Sequence, residues 1–185
     1  MIGTVALIGL VIATGLAYTI ITSYIEADVT KQQLNQIAEH VALNLVKIVS
    51  LVKFANYLNN EPMMKVLKLP SDLGGKAYVI KLMNGTISGQ GCYVYTQLVT
   101  REDIAASSPI LLNSTQTRLK LKTEGDARPL TYPLPVRGGN EGIIQWSSTV
   151  YGGERAGADI VVWGLTLDID TTWAGIGVWK PQGGG

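Results

Sequence analysis

Two asparagines stand at positions where an N-linked glycan can be attached. Asn84 begins Asn-Gly-Thr and Asn113 begins Asn-Ser-Thr, and both triplets fit the N-x-S/T acceptor sequence. Each is predicted to lie in a turn or at a strand end of a β region, where a sugar can face solvent. Asn84 and Asn113 are therefore candidate glycosylation sites, and we predict that the native protein carries a sugar on at least one of them.

Acidic, histidine and cysteine residues are the other groups that could support chemistry. Asp159, Asp168 and Asp170 are not spaced as an EF-hand loop, so we interpret them as solvated carboxylates. His40 is the only histidine, and it lies in the predicted stalk helix, where we expect no Ser-His-Asp set to form around it. Cys92 is the only cysteine, which excludes a thiolate zinc cluster. No phosphate-binding glycine loop or dinucleotide fingerprint is present. We predict no catalytic, cofactor or metal site and expect that the protein is not an enzyme.

The charge balance points away from nucleic acid. Fifteen Lys and Arg residues oppose 14 Asp and Glu residues, for a net charge of +1, and the basic residues are scattered, whereas phosphate binding needs a clustered basic surface. Only 16 % of residues are charged, against about 25 % in ordinary soluble domains. Most of this imbalance comes from the N-terminal segment.

The N-terminal segment predicts one long helix with two different halves. Residues 1–25 contain no charged side chain, and this run exceeds the ~18 apolar residues expected of a membrane span. From Glu26 onward polar residues appear, while apolar residues recur every three or four positions from Val29 to Val52, which is typical of a helix with one apolar stripe. No proline precedes Pro62. We predict a stalk helix over 1–57 and a linker over 58–64.

The apolar run requires a cover, and three environments compete for it: a membrane as a permanent anchor, a removable secretory signal, or sister helices. The run is longer than the ~7–15 residue core of a signal and no basic segment precedes it, so a signal is disfavoured. Small residues recur along one side of the helix at spacings that permit close backbone approach. They are Gly3, Ala6, Gly9, Ala13 and Ala17.

The remainder, 65–185, predicts a β head. The runs 76–82 and 91–99 alternate and flank Asn84-Gly85, a tight-turn dipeptide. A short helical turn is expected over 101–106. Further predicted strands are 109–113, 117–123, 143–150, 158–169 and 175–180. The four tryptophans, all late in the chain, are interpreted as packing residues in preference to a glycan-binding surface: Trp146, Trp163, Trp173 and Trp179. The fold class is therefore α+β, with a long hydrophobic helix followed by an antiparallel β-sandwich.

Three stretches together resemble archaeal type IV pilin-like proteins, a group that includes adhesive pilins and archaellins. They are IGTVALIGLVIATGLAYTIITSYI, the following DVTKQQLNQIAEHVALNLVKIVSLV, and LPSDLGGKAYVIKLMNGTIS, which leads into the β head. Val5 occupies the position where bacterial pilins usually carry glutamate, which fits the archaeal type. The charge-free start is what is expected of a mature chain that has lost a basic leader.

The resemblance implies a function and a set of partners. A prepilin peptidase would remove the leader, and an assembly machinery would draw subunits from the cell membrane into an extracellular filament. The helices would form its core, with immunoglobulin-like β heads outside. We thus expect a structural, self-associating subunit of an archaeal pilus-like filament used in surface adhesion. The alternatives are an archaellin of a swimming filament and a membrane-anchored extracellular binding module.

Overall fold

The fold is given by a computed structural model that describes residues 2–54, 62–87, 90–111, 118–121, 134–136, 142–152, 159–168 and 171–181. Its first element is helix α1, Ile2–Phe54. No proline interrupts this helix, and the two halves of the predicted pattern are continuous in it. The last three residues of the predicted stalk, 55–57, lie outside the described residues, as does most of the predicted linker.

Ten strands follow α1 in the described part of the chain. They are β1 Met63–Val66, β2 Tyr78–Ile87, β3 Gln90–Leu98, β4 Ala105–Pro109, β5 Arg118–Leu121, β6 Leu134–Val136, β7 Gly142–Ser147, β8 Thr149–Tyr151, β9 Asp159–Asp168 and β10 Thr171–Pro181. One sheet has the order β1-β9-β10-β7-β6, with β5 paired to β10, and the other has the order β4-β3-β2-β8. The pairings are antiparallel except that of β5 with β10. The chain is therefore an α+β protein.

The predicted turn at Asn84-Gly85 is wrong. Strand β2 runs through both residues to Ile87, and Asn84 pairs with Cys92 on β3. The ladder shifts register between Asn84 and Ile87. A bulge of this kind accommodates an extra residue within a strand, so the pairing of β2 with β3 overrides the local turn preference and the hairpin closes later.

The predicted helical turn over 101–106 and the strand over 109–113 are also misplaced. Backbone hydrogen bonds from Ile104 N to Arg101 O (3.0 Å) and from Leu98 N to Ile104 O (3.1 Å) close a tight turn. Strand β4 then begins at Ala105 and pairs with β3 as far as Pro109. Proline lacks a donor and is tolerated on an edge strand, so the strand ends where it was expected to begin.

The predicted strand over 143–150 is divided between the two sheets. Its first part, β7, pairs with β10, and its second part, β8, pairs with β2. The break falls at Ser148, where the Ser147 hydroxyl accepts a hydrogen bond from Thr149 N at 3.1 Å. A side chain that bonds the local backbone competes with the ladder, and this lets one short segment connect the sheets.

The main core joins α1 to both sheets. Nine apolar residues of α1 are buried in it: Leu34, Ile37, Ala38, Val41, Ala42, Leu45, Ile48, Val49 and Val52. They meet strands of the first sheet (β1, β9, β10) and of the second (β3, β4). The helix comes close to the sheet at Gly164 on β9, where an added Cβ would lie 2.7 Å from the Ile48 side chain. Glycine is therefore required for the helix to sit this close.

A second core lies on the opposite face of the first sheet. Ile160 and Val162 of β9 belong to the main core, whereas Val161, Trp163 and Leu165 belong to the second, as the two-residue period of a strand demands. Trp163 donates a hydrogen bond to Ile176 O at 3.1 Å, and Trp173 is buried beside it. These two tryptophans are packing residues.

Candidate functional site

The most unusual surface of the molecule is the first half of α1. We call residues 2–25 the uncovered half and residues 26–54 the docked half. From Leu7 to Ile25 the described large apolar side chains are more than half exposed, with Leu10 at 66 % and Tyr24 at 73 %. By length and composition α1 is able to cross a membrane, and none of its qualifying apolar window is buried by the rest of the described chain. Water cannot be the working environment of this surface.

The small residues predicted to pack helices lie within this uncovered half. Gly9, Ala13 and Ala17 are exposed, and a Cβ added at Gly9 would meet no atom within 4 Å. Gly3 and Ala6 are part of α1, but their side chains lie outside the described residues. The backbone along this side is open to close approach by another helix, and the packing role itself stays a prediction.

Four serine and threonine hydroxyls of the uncovered half are paired within the helix. Thr14 donates to Leu10 O at 2.9 Å, Thr19 to Leu16 O at 2.9 Å and Ser23 to Ile20 O at 2.9 Å. Thr22 similarly donates to Tyr18 O. Since each of these side chains bonds a carbonyl one turn back, it can enter a medium without water at little cost. Sequence reasoning missed this property, although a threonine or serine within an apolar helix is its signal.

Polar contacts hold the docked half to the head. Thr96 of β3 donates to Leu34 O at 3.0 Å, and Lys65 of β1 donates to the side-chain oxygen of Asn44 at 2.7 Å. Asn44 in turn donates to His40 O at 2.7 Å. Directional bonds from both sheets thus fix the rotation of α1 about its axis. Because α1 is continuous, these contacts also set the direction in which each face of the uncovered half points.

A mixed-charge groove lies where the uncovered half meets the head. The turn at 101–104 stands beside residues 20–31 of α1 and encloses about 610 Å³ with it. Arg101 Nη2 lies 2.7 Å from Asp103 Oδ2, and this guanidinium lowers the pKa of the Asp103 carboxyl. Lys76 of the head lies 3.8 Å from Glu26 of the helix. Charges of both signs therefore surround the point where the apolar run ends.

The remaining predicted sites are only partly covered by the described residues. The backbone of Asn84 is in β2, and Asn113 lies outside the described residues. His40 is exposed on α1, while Cys92 is half-buried, and burial raises the pKa of its thiol. Asp159 is exposed, and Asp170 lies outside the described residues. Among the described residues, no group of three His, Cys, Asp or Glu side chains is placed to hold a metal ion.

Comparison with known proteins adds no relative, because no protein-family model, curated protein or solved structure matches the chain.

Proposed function

We propose that the protein is a structural subunit of an extracellular archaeal type IV pilus-like filament that serves surface attachment and polymerises through its N-terminal helix. The observation that carries the proposal is the contrast within α1: one apolar stripe of the docked half is buried against the head, whereas the described side chains of the uncovered half remain exposed. The resemblance to archaeal pilin-like proteins supplies the partners: a prepilin peptidase, an assembly machinery and the cell membrane before assembly. The head is proposed to be an immunoglobulin-like β-sandwich, and the support is that the described pairings within its two sheets are antiparallel apart from that of β5 with β10.

Burial of apolar surface requires that the uncovered half be covered, and we propose sister helices as its final cover. Moving the helix from lipid to that bundle needs a driven assembly machine. Apolar surface gains about 25 cal/mol per Å² on leaving water, so the uncovered half will not remain solvated. Lipid chains are as apolar as leucine, however, and transfer from lipid to a helix bundle gains far less. Small residues along one side of the helix then contribute by close packing, and extraction from the membrane requires driven assembly.

A pair of matched substitutions tests polymerisation through the helix. Leu10 and Leu111 are exposed to similar degrees, 66 % and 61 %, but only Leu10 is in the uncovered half. We expect Leu10→Asp to abolish surface filaments in electron micrographs and Leu111→Asp to leave them intact, because only the first places a charge inside the filament core. Filaments of normal abundance with Leu10→Asp would refute polymerisation through this helix.

The alternatives differ from the main proposal in other measurements. An archaellin predicts that deletion abolishes swimming and spares adhesion. A membrane-anchored binding module predicts extraction by detergent as a discrete small species, without helical particles in sheared cell-surface material.

The glycan prediction is tested by the intact mass of native subunits. The variants Asn84→Gln and Asn113→Gln locate any added sugar, and a mass equal to that of the bare polypeptide contradicts the prediction.

A further inference from the structure

A second groove, which we call the seam groove, lies between the docked half of α1 and the edge of the second sheet. Leu43 and Val46 of the helix form one wall, the end of β4 and Leu111 just beyond it form the other, and about 240 Å³ is enclosed. Leu43 and Leu111 are more than half exposed. Glu39 is the only charged residue among the described ones that line the groove, and its carboxylate already accepts a hydrogen bond from the Asn35 side chain at 2.8 Å. The seam groove therefore suits an uncharged, apolar occupant.

Lipid does not reach the seam groove. Leu43 is 18 residues past Ile25, the last residue of the uncovered half, and this separation is about 27 Å of helix. The hydrocarbon core of a bilayer is about 30 Å thick, and each headgroup region adds only about 5–8 Å. When the apolar run spans a membrane, the seam groove is thus well outside both layers, and its cover has to be another protein surface.

The chain itself carries an apolar side chain that meets this requirement. Phe54, the last residue of α1, is 92 % exposed and is the most exposed of the large apolar side chains that the structure describes. Phe54 cannot enter the seam groove of its own chain, because 11 residues of continuous helix, about 16 Å, separate it from Leu43. The groove and its complement can therefore meet only between two copies.

The positions of the seam groove and Phe54 around α1 suit repeated association. At about 100° per residue, Val46 lies about 60° from Leu43 on one side of the helix. Phe54 and Leu51, both exposed, lie about 20° and 80° from Leu43 on the other side. The buried Leu45 is about 160° away, so groove and complement are both on the side that faces away from the head core. A contact between opposite flanks is heterologous, and such contacts repeat from copy to copy into rings or filaments.

We propose that Phe54 of one copy inserts into the seam groove of the next copy in the filament. The inference rests on the proposed function and deepens it, because it names the surface that sets how far neighbouring copies are displaced. Phe54 and Leu43 are three helical turns apart, so two joined copies with parallel helices are offset by about 16 Å along α1. The uncovered half drives polymerisation, and filaments therefore still form without this contact but release their subunits more easily.

Oxidative cross-linking of assembled filaments tests the contact. The full chain with Phe54→Cys and Leu43→Cys, in a Cys92→Ala background, has one cysteine at the inserted position and one in the groove. Because each copy then links to two neighbours, we expect a ladder of dimers, trimers and higher multimers on a denaturing gel. The control pairs Phe54→Cys with Gln36→Cys, an exposed position two turns before Leu43, and is expected to give at least about 10-fold less ladder because about 10 Å of helix separates the two positions.

A release measurement reads the same contact without introduced cysteines. Phe54→Ser filaments are expected to form in normal numbers and to release subunits about 10-fold more readily in mild denaturant, the change expected of a buried aromatic contact between subunits. Tyr151→Ser, which alters an exposed aromatic residue on β8, should release subunits as the unsubstituted chain does. Equal release by the two variants would overturn the Phe54 contact, and this comparison also decides the matter where a cysteine pair prevents assembly.

The other outcomes separate this contact from polymerisation itself. Normal filaments without a ladder overturn the Phe54 contact while the proposed function stands. Dimers alone assign the cysteines to a symmetric pair of copies, and a ladder of equal strength in the Gln36→Cys control indicates random collision, so either result overturns the contact as well. An unsubstituted chain that forms no filaments in electron micrographs refutes the proposed function and the contact with it.

Discussion

The uncovered and docked halves of α1 belong to one helix, yet the rest of the described chain packs only against the docked half. In the docked half, one stripe of apolar residues is buried against both sheets, while Leu43, Leu51 and Phe54 lie off that stripe and are more than half exposed. In the uncovered half, apolar residues surround the helix, and the structure leaves Leu7, Leu16 and Ile25 more than half exposed. The comparison teaches that the head buries one face of the docked half and that, among the described residues, nothing covers the uncovered half. Folding and association therefore use separate parts of the same element.

The largest expected effect comes from emptying a core position in the docked half. Leu45 is fully buried, so Leu45→Ala should lower the free energy of unfolding of the head by roughly 2–5 kcal/mol through lost burial and a cavity. The matched change Leu10→Ala should leave that free energy within about 0.5 kcal/mol. Denaturant unfolding of both variants in detergent measures the difference. Equal losses would mean that the two halves do not have separate roles.

High pH should also destabilise the main core, in which the docked half is buried. Tyr78 is fully buried in the main core and donates to Pro70 O at 2.6 Å. Its burial, together with the nearby Asp72 carboxylate, raises its pKa to about 12, above the usual tyrosine value of about 10. The unfolded chain thus loses this proton first, and the stabilisation is full below pH 10 and is lost as the pH rises toward 12.

The pKa difference of Tyr78 between the folded and unfolded chain gives the size of the loss in the free energy of unfolding, and a phenylalanine variant provides the control. A difference of two pKa units corresponds to about 3 kcal/mol, so the free energy of unfolding should fall by that order between pH 10 and 12. Tyr78→Phe should be less stable at neutral pH by about 1 kcal/mol, for the lost hydrogen bond, but should lack this component of the alkaline loss. An identical alkaline slope in both proteins would assign the loss to other groups.

A smaller effect is expected at the hydrogen bond that joins β3 to the helix. Thr96→Val removes the donor to Leu34 O in a fully buried setting and should reduce the free energy of unfolding by about 0.5–1.5 kcal/mol. Thr14→Val removes a hydroxyl that bonds only its own helix and should change head stability by less than about 0.5 kcal/mol. Thermal unfolding of the two variants sharpens the boundary between the halves.

The smallest effect belongs to the ion pair at the boundary itself. Lys76 and Glu26 are 3.8 Å apart and both are substantially exposed, so Lys76→Gln should alter the free energy of unfolding by at most about 0.5 kcal/mol. Any loss should vanish in 1 M salt because exposed charges are screened. A loss above 1 kcal/mol that persists in salt would show that this contact, rather than core burial, fixes the helix to the head.

Much of the fold was accessible from local pattern, and the errors share one cause. The stalk helix and the strands β2, β3 and β9 have periodicities that decide their structure locally. The Asn84-Gly85 turn and the single strand over 143–150 were wrong because their outcome depends on pairing partners distant in sequence. In the sequence around Asn84-Gly85 the turn signal is stronger than any signal for the register of β2 against β3. Over 143–150 the pattern of one continuous strand is likewise stronger than any signal for a change of partner at Ser148.

The candidate site divides in the same way. The charge-free run over residues 1–25 was sufficient to identify a surface that requires a cover, since composition alone makes such a helix incompatible with water. Only the tertiary structure decided where burial by the head ends, how Thr96 and Asn44 fix the helix rotation, and that the turn bearing Arg101 lies beside Tyr24. These outcomes depend on contacts between residues dozens of positions apart, and such contacts become visible when the chain is folded.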